Sequence, residues 1–195
     1  MTTGAVIVAA GMATRMHEFK QLMRIAGRPM AERVILNFRE AGVAPIIVVT
    51  GYRAAELEAA LQYPDILFVR NEAYETTQMF DSAKIGLAAI KDRCDRTFFC
   101  PADIPMFTSV TVRQLMQYKA PLVLPICRGK QGHPILIENS LIPQILAWQG
   151  EGGLKGALNG LSAQSLRVEA DDPGTLADAD TQEEFRHLAE MAEHN

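Results

Sequence analysis

Cysteine is scarce in this chain. Cys94, Cys100 and Cys127 are all that 195 residues hold, an odd number in no CxxC or Cys/His spacing. That excludes a disulfide framework and a sequence-type zinc site, and it suits a reducing, cytoplasmic setting. Long apolar runs are missing too. No stretch approaches the roughly 18 residues that a membrane helix needs, and no basic segment followed by an uninterrupted apolar one opens the chain. The sequence therefore predicts neither membrane insertion nor secretion. An excess of positive charge is also absent: the formal net charge is −4, which argues against a nucleic-acid partner held on a general basic face. No Pro/Gly/Ser-rich linker, repeat or low-complexity tract interrupts the chain, so residues 1–195 read as one domain. With 48% hydrophobic and 22% charged residues it lies within the ordinary globular range.

What charge there is lies unevenly. Residues 1–39 carry six Arg/Lys against two acids, whereas residues 169–195 carry nine Asp/Glu against Arg186 alone. Either these are two solvated faces, or the start of the chain handles an anion and some of the later acids handle a cation.

Short β-branched runs alternate with helix-period segments almost from end to end. Strands are expected at 5–9, 45–50, 66–69, 97–100, 121–126, 133–138 and 165–169. Ala31, Val34, Ile35, Phe38 and Ala41 recur at helical spacing, with Pro29 suited to the start and Gly42 to the stop, and Phe80, Ala83, Leu87 and Ile90 repeat the pattern. Alternating βα units imply an α/β fold, a mostly parallel sheet with helices on both faces. Runs such as IIVV, apolar on both sides, are what strands between two helix layers require. Ligands of such sheets bind beyond the carboxyl ends of the strands. That points to Ala10–Lys20, Thr50–Arg53, Arg70 and Asn71, Pro101–Pro105, and the segment near Asp178 and Asp180.

The first of these is unusual. Connections from strand to helix usually take about 2–6 residues, yet eighteen separate Ala10 from Pro29. Ala9, Ala10 and Gly11 have little or no side chain, so a ligand can reach the backbone N–H groups. Arg15 and Lys20 then add positive charge suited to a polyphosphate, the first as a fork and the second as a point charge. Familiar phosphate loops are excluded by the letters themselves. There is no GxxxxGK followed by Ser or Thr, and GMATRM is not GxGxxG.

The pattern Ala9, Ala10, Gly11, Arg15, Met16, Lys20 resembles the nucleotide-binding loop of the molybdenum-cofactor nucleotidyltransferases, which transfer a nucleoside monophosphate from an NTP. Further blocks follow in the family's order: QMFDSAKIGL (78–87) is similar to GMxxSLxxGL, ADIP (102–105) to DQP, GHP (132–134) to GHP, GEGGLKGAL (150–158) to GDxGxR, and DADTQEEF (178–185) to DxDTPED. Six blocks span residues 5–185. The AAG triplet resembles the cytidylyl branch, where guanylyl enzymes carry AGG. Departures stand at His17, Gln78, Ile104, Glu151 and Lys155, of which His17 and Ile104 bear on base and acceptor specificity. The resemblance implies a three-layer α/β/α, Rossmann-like nucleotidyltransferase fold of the nucleotide-diphospho-sugar transferase type, an NTP (CTP favoured), Mg²⁺, and molybdenum-molybdopterin as acceptor, with a molybdoenzyme as a possible recipient.

Site residues follow from both readings. Asp103, just past an apolar strand, suits a magnesium ligand or a cap for a helix starting near Thr108, and the resemblance favours the metal. Asp180 is the expected second ligand with Asp178 in reserve, although Asp180 and Thr181 also suit a helix N-cap. Arg15 and Lys20 are expected on phosphate. Asn71 would contact the ribose or close a turn. By resemblance Ser82, Met79 and His133 fall on the acceptor side, where Ser82 also suits a cap, Met79 packing and His133 a structural role. His17 is expected to face solvent, and the remaining methionines and aromatics to fill the core. Competing functions are transfer to a sugar or polyol phosphate, since AAGxxxRM with KQ is also reminiscent of the methylerythritol-phosphate cytidylyltransferases, and a catalytically silent nucleotide-binding partner in molybdoenzyme maturation.

Overall fold

A computed structural model of the chain describes residues 1–12, 19–161 and 165–193. The apolar runs form one sheet. Its strands are β1 (Thr3–Val8), β4 (Ile46–Thr50), β5 (Ile66–Arg70), β6 (Arg96–Pro101), β7 (Leu122–Cys127), β9 (Ile135–Glu138) and β10 (Ser165–Glu169), in the order β10-β7-β9-β6-β1-β4-β5. A short β8 (Lys130–Gln131) pairs with β7, and β2 (Arg24–Ile25) with β3 (Arg28–Pro29) makes a separate hairpin. Pairing is parallel except around β8 and β9, which run against their neighbours.

Alternating residues on the strands feed two cores. Ala5, Ile7, Ile46, Val48, Phe98 and Cys100 face one layer, built on α1 (Met30–Glu40), α2 (Ala54–Ala60) and α4 (Ser109–Met116). Val6, Val8, Ile47, Val49 and Phe99 face the other, built on α3 (Met79–Ile90), α5 (Ile142–Leu146) and α6 (Gly153–Gly160). Period-two alternation with both faces buried is the pattern of a strand sandwiched between helices. The result is a three-layer α/β/α fold with a mostly parallel sheet.

The helix boundaries have local causes. Pro29 caps α1, and Gly42 beyond its end has φ +79°. Gln78 caps α3 through a reciprocal capping box with Asp81. Thr108 caps α4, its hydroxyl accepting from the Thr111 N–H, while the buried Asp172 carboxylate accepts from Thr108 and Thr111. The glycines of 150–160 wrap Trp148: a Cβ on Gly150 or Gly160 would lie 2.6 or 2.4 Å from the indole.

A third, smaller cluster joins distant parts of the chain. Ile25 and Met30 around the hairpin, Met106, Ala179, and Leu188 of α7 (Gln182–Glu193) pack together. The last helix is thereby held against the segment that follows Lys20. No helix among the described residues is long and apolar enough to cross a membrane.

Candidate active site

The register sets the ends of three adjacent strands level. Val8 pairs with Val49 on one side and Pro101 on the other. The ladder continues beyond the strands: Ala9 N–H donates to the Val49 carbonyl at 2.8 Å, and Ala102 N–H to the Val8 carbonyl at 2.9 Å. Ala9–Ala10 and Ala102–Asp103 therefore leave the sheet side by side.

Over this edge lies a cleft of about 260 Å³. Val8, Ala10 and Gly11 line it from β1, and Pro101, Ala102 and Asp103 from β6. Tyr74, Thr77 and Gln78 close a second side with Met79 and Ser82 of α3. Lys20, Gln21 and Asp180 complete the wall. A Cβ placed on Gly11 would meet nothing within 4 Å, so that backbone faces open space, as its residue type suggests.

Lys20 opens a short 3-10 turn, Lys20–Leu22. Its Nζ donates to Asp103 Oδ2 at 2.6 Å, to Asp180 Oδ1 at 3.0 Å and to the Ala179 carbonyl at 3.3 Å, with its side chain 11% exposed. Burial alone would lower the ammonium pKa, but the charge of Asp103 and the hydrogen bonds to Asp103 and Asp180 outweigh it, and the pKa is raised. Lys20 is held as a cation between two carboxylates that lie 77 positions apart in sequence.

The capping alternatives are taken by other groups. Thr108 starts α4, which leaves Asp103 to face the cleft. At α7 the Thr181 hydroxyl accepts from Glu184 N–H, and Glu184 Oε2 accepts from the N–H groups of Asp180 and Thr181. The Asp180 side chain is directed at Lys20 instead. Asp178 is exposed and does not line the cleft. Its carboxyl pKa is raised by desolvation and by the negative charge of Glu184, Asp103 and Asp180, which marks the neighbourhood as one that favours cations. Among the described residues no group of three or more His, Cys, Asp or Glu is arranged to hold a metal ion. The Asp103–Asp180 pair already embraces one cation, the Lys20 ammonium, and magnesium commonly takes one or two carboxylates together with substrate phosphates. The pair fits such an ion.

Several expected residues stand elsewhere. Asn71, 2% exposed, lies behind the wall: its Oδ1 accepts from Ala73 N–H, closing an Asx turn, while Nδ2 donates to Thr77 at 2.8 Å and Ser82 at 2.9 Å. It fixes two residues that line the cleft without lining it itself. Ser82 does not cap α3; that position belongs to Gln78. His133 is outside the cleft lining, its ring 6.1 Å from that of Phe99 and its pKa lowered by burial against the opposing effects of the Phe99 backbone and Asp103. Ile104 turns into the core, so its departure from the family pattern does not alter the cleft surface. Met79 is 57% exposed and lines the cleft, and Met12 is 38% exposed, so neither is a core residue. Arg15, Met16 and His17 lie outside the described residues. Tyr74 and Thr77 were not singled out by sequence, because the strand-end rule stopped at Asn71, a few residues short of them; Gln21 entered only as the second letter of the KQ pair, with no role attached.

Comparison with known proteins agrees with this geometry. Over 182 residues the chain is 26% identical to the molybdenum cofactor cytidylyltransferase of Escherichia coli K12, covering 92% of each. Over 120 residues, 60% of this chain, it is 29% identical to the bifunctional protein GlmU of Staphylococcus haemolyticus, of whose length it spans 26%. In structure it matches a nucleotidyl transferase from Methanothermobacter with a TM-score of 0.86 at 24% identity, covering 99% of this chain and 98% of the other. It also matches the Rv0371C protein of Mycobacterium tuberculosis in complex with manganese, with a TM-score of 0.77 at 19% identity over 97% and 99%. Residues 5–168 match the MobA-like NTP transferase domain from the first strand of the sheet to its last, and the chain belongs to that family.

Proposed function

We propose that this chain, as one domain over residues 1–195, transfers a nucleoside monophosphate, CMP from CTP, to a phosphate acceptor and releases pyrophosphate. The observation that carries the reading is the convergence of Lys20, Asp103 and Asp180 on one cleft beside the open Gly11 backbone. In this reading an acceptor phosphate oxygen bonds to the α-phosphorus of the NTP. The bond from that phosphorus to the bridging oxygen breaks, and pyrophosphate leaves with its electron pair. Such a step asks for positioning and charge neutralisation more than covalent chemistry. The backbone at Ala9, Ala10 and Gly11 receives the nucleotide, and Lys20, with Arg15, stabilises charge growing on the leaving pyrophosphate. An acceptor phosphate already ionised at neutral pH needs no general base.

Asp103 and Asp180 would hold Mg²⁺, which when bound supplies Lewis-acid neutralisation of the phosphate oxygens. Ser82 and His133 are assigned to the acceptor side, the former on the cleft wall and the latter outside the cleft lining. Asn71 serves the nucleotide site through Thr77 and Ser82 rather than by direct contact.

For the acceptor, molybdenum-molybdopterin is supported by the full-length similarity to the Escherichia coli molybdenum cofactor cytidylyltransferase. A molybdoenzyme receiving the finished cofactor follows from the same reading. Transfer to a sugar or polyol phosphate is a second reading, supported by the AAGxxxRM pattern with KQ, which resembles the methylerythritol-phosphate cytidylyltransferases. Pyrophosphate release measured with each NTP, with and without molybdenum-molybdopterin or a sugar phosphate, separates them. We expect release with CTP and the molybdenum-bearing acceptor, abolished by Asp103→Ala. Tight NTP binding with no release for any acceptor would overturn the enzyme assignment.

A further inference from the structure

Gln21 sits in the 3-10 turn beside Lys20, 4% exposed, and its residue lines the cleft. Its Nε2 donates to the Gly11 carbonyl at 3.1 Å. Because a carbonyl only accepts, this bond fixes which end of the amide carries nitrogen, and the remaining end is Oε1. Oε1 is buried and has no hydrogen-bond partner among the described residues. A buried acceptor left unpaired is costly, and one held in place by its own amide nitrogen cannot rotate to seek a partner without breaking the Gly11 contact.

The wall of the cleft therefore holds a buried acceptor without a donor among the described residues, next to the ammonium and carboxylates already described. A triphosphate cannot supply that donor, since its oxygens at neutral pH are acceptors. A nucleoside can, through a ribose hydroxyl or an exocyclic amino group. Resting on the reading of this cleft as an NTP site, we propose that Gln21 Oε1 accepts a hydrogen bond from the nucleoside of the bound nucleotide and so helps determine which nucleotide the enzyme admits. Gln21 is then a specificity-determining residue, whereas Lys20 next to it addresses charge.

The test is calorimetric binding by wild-type protein, Gln21→Met and Gln21→Asn, with folding of each checked by thermal melting. The ligands are CTP, UTP, ATP, GTP, 2′-deoxy-CTP, 3′-deoxy-CTP and inorganic tripolyphosphate. The expected result is about tenfold or greater weakening of CTP in both variants, with tripolyphosphate unchanged within about twofold. One analogue should bind wild type as weakly as CTP binds the variants and be insensitive to the substitution. If that analogue is UTP the donor is the amino group, and if it is a deoxy-CTP the donor is the missing hydroxyl. Equal weakening of CTP and tripolyphosphate would show that Gln21 acts only by holding Gly11, and would overturn the inference, as would no weakening of any ligand. Wild-type protein that binds tripolyphosphate but distinguishes no nucleoside from any other overturns the inference while leaving the phosphate site standing. Wild-type protein that binds no NTP overturns the transferase reading as well.

Discussion

Replacing Lys20 by methionine removes one charge and keeps most of the side-chain volume. In the native cleft the ammonium contacts Asp103 Oδ2 at 2.6 Å and Asp180 Oδ1 at 3.0 Å. Two carboxylates held within hydrogen-bond reach of one nitrogen are separated by about 5 Å, and at an effective dielectric constant of about 20 two unit charges at that distance repel by about 3 kcal/mol. Relaxation of Asp180, whose side chain is 43% exposed, relieves part of this, as does the desolvation cost that Lys20 no longer bears. The net loss expected is about 1–3 kcal/mol, a fall in Tm of roughly 3–10 °C for a chain of this size. The same substitution vacates the space between the carboxylates, so a divalent ion no longer competes with an ammonium for them. Manganese without nucleotide should therefore raise the Tm of Lys20→Met by more than it raises that of wild type. Turnover should fall about 100-fold or more, because charge on leaving pyrophosphate loses its partner. The decisive assay is melting of both proteins across a manganese titration. A variant as stable as wild type, or one that manganese stabilises less, would refute the account of Lys20 as the cation that occupies the carboxylate pair.

Asp180 and Asp178 should separate in the pyrophosphate-release assay. Asp180→Asn is expected to lower turnover about 100-fold or more and Asp178→Asn about threefold or less, because only Asp180 lines the cleft and contacts Lys20. At the far edge of the sheet, Glu58 accepts two hydrogen bonds from Arg70 and one from the buried Thr50 hydroxyl, and the Arg70 guanidinium holds its carboxyl below the usual range despite partial desolvation. A carboxyl whose pKa is depressed on folding contributes stability that is present above its unfolded pKa of about 4.3 and lost as pH falls through the folded value. Glu58→Gln should thus be less stable than wild type at pH 7, with the gap in urea midpoint closing below about pH 4; a gap independent of pH would refute the electrostatic assignment.

Legibility from sequence followed the physics of burial. Each run expected as a strand of the main sheet forms one; in β1 and β4 apolar residues buried on both faces leave a strong composition signal, whereas the edge strands β5 and β10 are partly or largely exposed and carry a weaker one. The hairpin Arg24–Pro29 left none, because two-residue strands have no periodicity to read. Strand direction was equally hidden: nothing in Ile135–Glu138 distinguishes an antiparallel insertion from its parallel neighbours. At the site, charged residues past strand ends were readable. The choice between capping and ligation was not, because it depends on whether another residue takes the cap, as Thr108 and Thr181 do for Asp103 and Asp180. The KQ pair named Gln21, but the role proposed for it rests on what its oxygen lacks among the described residues, and a missing partner is a property of three dimensions.

Lys20, Asp103 and Asp180 lie far apart in sequence, yet their neighbours share one small apolar cluster. Ile25 and Met30 follow Lys20, Met106 follows Asp103, and Ala179 precedes Asp180, with Leu188 packed among them from the last helix. Hydrophobic burial is non-directional and does not depend on charge pairing, so this cluster draws the segments together without fixing their charged groups. The ion pair then fixes their spacing to within a hydrogen bond. That division assigns stability mainly to the cluster and geometry mainly to Lys20. An ammonium that only bridges, and does not anchor, is free to exchange its carboxylates for the phosphates of an arriving nucleotide, whereas one that carried the fold would have to stay.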